Sequence, residues 1–76
     1  MLTPEEIEEI NLLGQFNLAN TLEGLKIHSH EAPEQTVAAA KRLHERGLVT
    51  QTDGGYLTSL GIEATKHCQA LLTILR

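Results

Sequence analysis

Apolar residues recur at helical spacing in three stretches of this chain, and two short stretches between the last two read as strands. Ile7, Ile10 and Leu13, with Leu2 beside them, fall on one face of a first helix. Glu5, Glu8 and Glu9 face away from it on that reading. Thr3-Pro4-Glu5-Glu6 supplies the start: Thr3 caps, Pro4 suits the first helical position, and Glu6 completes a capping box. Gly14 ends it, giving a helix over 4–14. A second helix opens at Glu31-Ala32-Pro33-Glu34 and runs over 33–46, with Val37, Ala40, Leu43 and His44 along one face. Gly47 sits where a helix takes a left-handed stop. The last stripe is Leu60, Ala64, Cys68, Leu71, Leu72 and Leu75, on a helix over 59–75 capped by Thr58 or Ser59; Ile62 and Ile74 fall off it.

Between the second and last helices lies a hairpin. Leu48–Thr52 and Tyr56–Thr58 have strand composition, and Asp53-Gly54-Gly55 is a turn of residues that tolerate positive φ. Leu48 and Leu57 face the core, and Tyr56 sits near the tip. Residues 15–31 are ambiguous. Phe16, Leu18, Leu22 and Leu25 can mark a helix capped by Asn17 or Asn20, whereas Gly24–Ser29 alternates as a strand does. The favoured reading is a helical turn near 17–22 and a short third strand near 24–29. The fold expected is α+β, mainly helical, in one domain over 1–76.

The segment RLHERGLVTQTDGGYLTSLGIEA, Arg42 to Ala64, resembles the end of the recognition helix, the wing and the next helix of winged helix-turn-helix regulators. Leu43, Gly47, Leu48, Val49, Leu57, Thr58 and Gly61 occupy the positions that carry the likeness. The whole chain also resembles a small family of bacterial proteins of similar length with no established activity. The likeness implies duplex DNA as a partner and transcription regulation as the role. Lys41, Arg42, His44 and Arg46 would then lie on the reading helix, and Gln51, Thr52 and Tyr56 on the wing. Many winged-helix modules bind proteins instead, and an adaptor without DNA binding is the alternative. The chain departs from the pattern upstream, because the strand candidate 24–29 leads directly into helix 33–46 where two helices are expected.

Charge changes the picture in one respect. The net charge of −4 disfavours nucleic acid, but residues 1–25 hold five glutamates and no Lys or Arg, while the rest carries six cations against five acids. The acidity thus belongs to the first helix. Apolar residues on more than one stripe of the last helix, Leu71, Leu72, Ile74 and Leu75, point to a homodimer, as flanking helices make in many winged-helix regulators.

Other chemistry finds little support. His28, His30, His67 and Cys68 lack the paired spacing of a zinc site, and neighbours such as 67 and 68 diverge by about 100° on a helix. No nucleophile elbow, phosphate loop or Ser-His-Asp order is present, so no catalytic residue and no cofactor are expected. A single cysteine and the absence of a leader-like segment suggest a cytoplasmic setting. No apolar run approaches the roughly 18 residues of a membrane span.

Overall fold

The computed structural model describes all of residues 1–76. It is α+β and mainly helical: α1 (Pro4–Leu13), β1 (Leu25–Lys26), α2 (Glu34–Glu45), β2 (Val49–Gln51), β3 (Gly54–Leu57) and α3 (Ser59–Leu75). The strands form one antiparallel sheet in the order β1-β3-β2. This arrangement is compatible with a winged-helix-like fold. A single helix separates β1 from β2, and residues 28–33 between β1 and α2 contain no helix.

Local signals set most of the helix ends. The Thr3 hydroxyl accepts from the Glu6 N–H and the Glu6 carboxylate accepts from the Thr3 N–H, closing the capping box. Those bonds to Thr3 hold the Glu6 carboxyl below its ordinary value. At the end of α2, Gly47 takes φ +75°. Its N–H donates to the His44 carbonyl and the Leu48 N–H to the Leu43 carbonyl, which makes a Schellman stop. Thr58 caps α3, and its hydroxyl both accepts from the Gly61 N–H and donates to the Gly47 carbonyl.

Residues 15–31 correct the expectation of a helical turn and a six-residue strand. The Asn17 side chain accepts from the Ala19 N–H (2.9 Å) and the Asn20 side chain from the Leu22 N–H (3.1 Å). Two such turns in a row satisfy the backbone locally, so neither helix nor strand forms there. Only Leu25 and Lys26 pair with β3, and the Ile27 N–H reaches the Asp53 carbonyl (2.8 Å). In the hairpin the turn is Thr52-Asp53, one step earlier than expected, and Gly54 and Gly55 belong to β3. A bulge at Thr50 lets its hydroxyl accept from the Tyr56 N–H (3.0 Å) in place of a ladder bond.

The core is Leu12, Leu13, Phe16, Ala39, Ala40, Leu43 and Val49, with Leu25, Ile27, Leu48, Leu57, Ala64 and Cys68 packed against it. Two assignments on α1 are corrected. Glu9, expected in solvent, is buried at 5% exposure, and Ile7, expected inside, is exposed. The α1 face that meets α2 is therefore Glu9, Leu12 and Leu13, turned from the Ile7 stripe. The α3 stripe is turned as well. Gly61 and Thr65 are its buried residues, whereas Leu60, Leu71 and Leu75 of the apolar stripe are exposed. The cause is the approach of Gly61 to Leu48: any Cβ at 61 would overlap the Leu48 carbonyl oxygen. That contact seats the first turn of α3 on the hairpin and fixes which stripe faces inward. Leu72, half-buried, then meets Gly14 at the end of α1. The Thr65 hydroxyl, fully buried in this stripe, has no hydrogen-bond partner.

Candidate functional site

The seven residues expected to touch DNA do not form one face. Arg42 and Arg46, one turn apart at the end of α2, both turn toward α1. The Arg42 Nε donates to one oxygen of the Glu9 carboxylate (3.1 Å), and Arg46 Nη1 donates to the other. Arg42 also reaches the Glu5 carbonyl (3.4 Å). Glu9 is nearly solvent-free while Arg46 remains largely exposed, so the ion cluster opens to water on one side. A buried carboxylate is costly without partners, and two guanidinium groups compensate this one. Periodicity missed Glu9 because a helix wheel treats every carboxylate as outward. The signal available in the sequence was the Arg42/Arg46 pair at i,i+4.

Lys41 points elsewhere. It is exposed and lines a shallow pocket with Ile27, Ser29, Val37, Thr52 and Asp53 at the hairpin tip. Asp53 pairs with Lys26 (2.9 Å), and this contact holds the Asp53 carboxyl below its ordinary value. His44 is half-buried. Gln51 and Tyr56 lie by Gly24, Leu25 and Lys26 in a third location, at the β1 side of the hairpin. The candidate contacts thus divide among an ion cluster, the hairpin tip and the edge of the sheet. Charge is mixed at the first two places.

The last helix presents a different surface. Leu60 (59% exposed), Leu71 (54%), Ile74 (80%) and Leu75 (71%) are all open to solvent. Three of the four residues expected at a dimer contact are among them, and the fourth, Leu72, is half-buried against Gly14. The opposite side of α3 is tied to α1. The Gln69 Nε2 donates to the carbonyl of Phe16 (2.7 Å) and lies near those of Leu13 and Gly14, satisfying the open carbonyls where α1 ends. The Cys68 Sγ donates to the Ile10 carbonyl (3.4 Å), and burial raises its thiol pKa. Gln69 had no sequence signal, since capping from a distant helix is a tertiary event.

His28 and His30 are exposed in the loop before α2, and His67 is exposed on α3. No group of three or more His, Cys, Asp or Glu side chains is placed to hold a metal ion. The groove between the starts of α1 and α2 is open and lined by Pro4, Glu5, Glu8, Gln35 and Arg42. No helix is long and apolar enough to cross a membrane.

No curated protein and no solved structure matches the chain. A family model described as a family of unknown function, DUF5669, matches residues 1–76, and the chain belongs to that family.

Proposed function

We propose that this chain is a protein-interaction module on a winged-helix-like scaffold, and that its partner is a second copy bound through the exposed face of α3. The observation that carries this reading is the row of Leu60, Leu71, Ile74 and Leu75 left in solvent along one helix. Leu71, Ile74 and Leu75 fall within the last two turns of the helix, and large apolar patches left open on a protein surface mark interaction sites.

A second reading is duplex DNA on α2 and the hairpin, and it rests on Lys41 beside the hairpin tip. Against it stands the Glu9 carboxylate, which occupies the two arginines that would meet phosphates. Sedimentation equilibrium separates the readings. Wild type is expected to be dimeric at micromolar concentration, with Leu71→Glu and Ile74→Glu monomeric and folded. A wild-type monomer would sink the proposal. Retention on duplex DNA at low salt, lost on Lys41→Ala, would favour the second reading instead.

A further inference from the structure

We propose that the hollow between α2 and the hairpin tip captures the C-terminal end of a partner polypeptide, with an aliphatic last side chain on its floor and the terminal carboxylate against Lys41. The site lies apart from the exposed face of α3 and stands whether or not two copies associate. Local structure fixes its walls. The Ile27 N–H donates to the Asp53 carbonyl (2.8 Å) and pins the end of β1 to the hairpin turn. The loop 28–33 turns back on itself, with the Glu31 and Ala32 N–H groups both donating to the His28 carbonyl. Val37, Ala40 and Lys41 share one face of α2, three and four residues apart. The result is a hollow of about 140 Å³. Its apolar residues, Ile27, Val37 and Ala40, are buried or half-buried and make the floor, while Lys41, Ser29 and Thr52 are exposed and make the rim with Asp53.

Charge and size select the occupant. Four of the six basic side chains already hold a carboxylate: Lys26 pairs with Asp53, Arg42 and Arg46 with Glu9, and Lys66 with Glu63. Of the other two, Arg76 ends the chain and Lys41 lines the hollow. The Asp53 charge on the same rim is met by Lys26 at 2.9 Å, which leaves Lys41 to an anion from outside. The volume is well below the roughly 300 Å³ at which pockets for whole small ligands begin, and it suits about one side chain. A free chain end supplies that combination, because its last Cα carries both a side chain and a carboxylate. The Ser29 and Thr52 hydroxyls add neutral donors beside Lys41. A phosphate backbone offers the anion but no aliphatic group for the floor. A second hollow shares Ser29, Val37 and Lys41 with the first and continues along α2 past Ala38 and Glu34, which gives the preceding residues of the partner a path.

A peptide titration followed by two-dimensional NMR of the isotope-labelled protein tests the site. The pentapeptide Ala-Gly-Gly-Ala-Leu with a free C-terminus is expected to move the backbone amides of Ile27, Ser29, Val37 and Lys41. The same peptide with a C-terminal amide, and one ending in Gly, are each expected to bind about tenfold more weakly. Lys41 is exposed, so Lys41→Gln keeps the fold, which circular dichroism verifies. That variant is expected to bind the acid about tenfold more weakly than wild type does and the amide equally well, since only the acid uses the ammonium. Acid and amide binding wild type alike, or no amide shifts at millimolar peptide, would overturn the proposal. Isocaproate binding as tightly as the peptide would make the ligand a small free acid, and a short DNA duplex displacing the peptide would assign Lys41 to phosphate. Either result also overturns the capture of a chain end.

Discussion

Glu9 carries a charge that the rest of α1 does not share in the same way. Its neighbours Glu5, Glu6 and Glu8 keep contact with water, whereas Glu9 is enclosed and holds Arg42 and Arg46 through separate oxygens. The cluster ties α1 to the last turn of α2 above the Leu12, Leu13 and Leu43 contact. Removing one partner of a fully buried pair costs several kcal/mol because the other charge is stranded. Here Arg46 is largely exposed and Arg42 partly so, and water takes up much of that loss. Glu9→Gln keeps one acceptor oxygen and loses the charge, so the expected cost is about 1–3 kcal/mol. Urea denaturation checks it: Glu8→Gln, the same change of charge beside solvent, is expected to shift the midpoint little. Equal midpoints for the two variants would mean that the cluster adds nothing to stability.

At the scale of the element, two glycines flanking the hairpin act through different physics, and Ala substitution tells them apart. Gly47 takes a left-handed backbone with open space where a Cβ would go. Gly47→Ala therefore meets only backbone strain, expected at about 1 kcal/mol. Gly61 is in the first turn of α3 and has ordinary helical freedom, but a Cβ there overlaps the Leu48 backbone. Gly61→Ala forces α3 off the hairpin, and the expected loss is roughly 3 kcal/mol or more, with β2 and β3 exchanging amide hydrogens faster. A comparable cost for both would refute the close-approach account. The same contrast explains what was legible in the sequence. The capping box of Thr3 and Glu6, the Gly47 stop and the Thr58 cap are local, so residue type and spacing revealed them. Residues 15–31 were not legible, because the Asn17 and Asn20 turns compete with helix by small local margins. The inward face of α3 was not legible either, since it depends on Gly61 meeting the Leu48 backbone, a tertiary contact that periodicity cannot see. Of the candidate site, the position of the basic residues on α2 was readable, but their engagement by Glu9 was not.

For the whole molecule, stability and association are one question. Only 11 of 76 residues are buried, and seven of them make the hydrophobic core. A domain of this size closes a smaller share of its surface than larger domains do, and its stability margin is thin. Covering Leu60, Leu71, Ile74 and Leu75 with a second copy adds apolar burial without lengthening the chain. In the proposed dimer, folding would draw on subunit concentration, because only folded chains associate. The thermal midpoint is therefore expected to rise with protein concentration for wild type across a hundredfold range. It is expected to stay fixed for Ile74→Glu, whose midpoint should match the dilute limit of wild type. Calorimetry at several concentrations makes the check. A wild-type midpoint that does not move, in a sample whose mass is that of a monomer, would leave the α3 stripe without a partner of its own kind. The exposed row would then be a surface for a different protein.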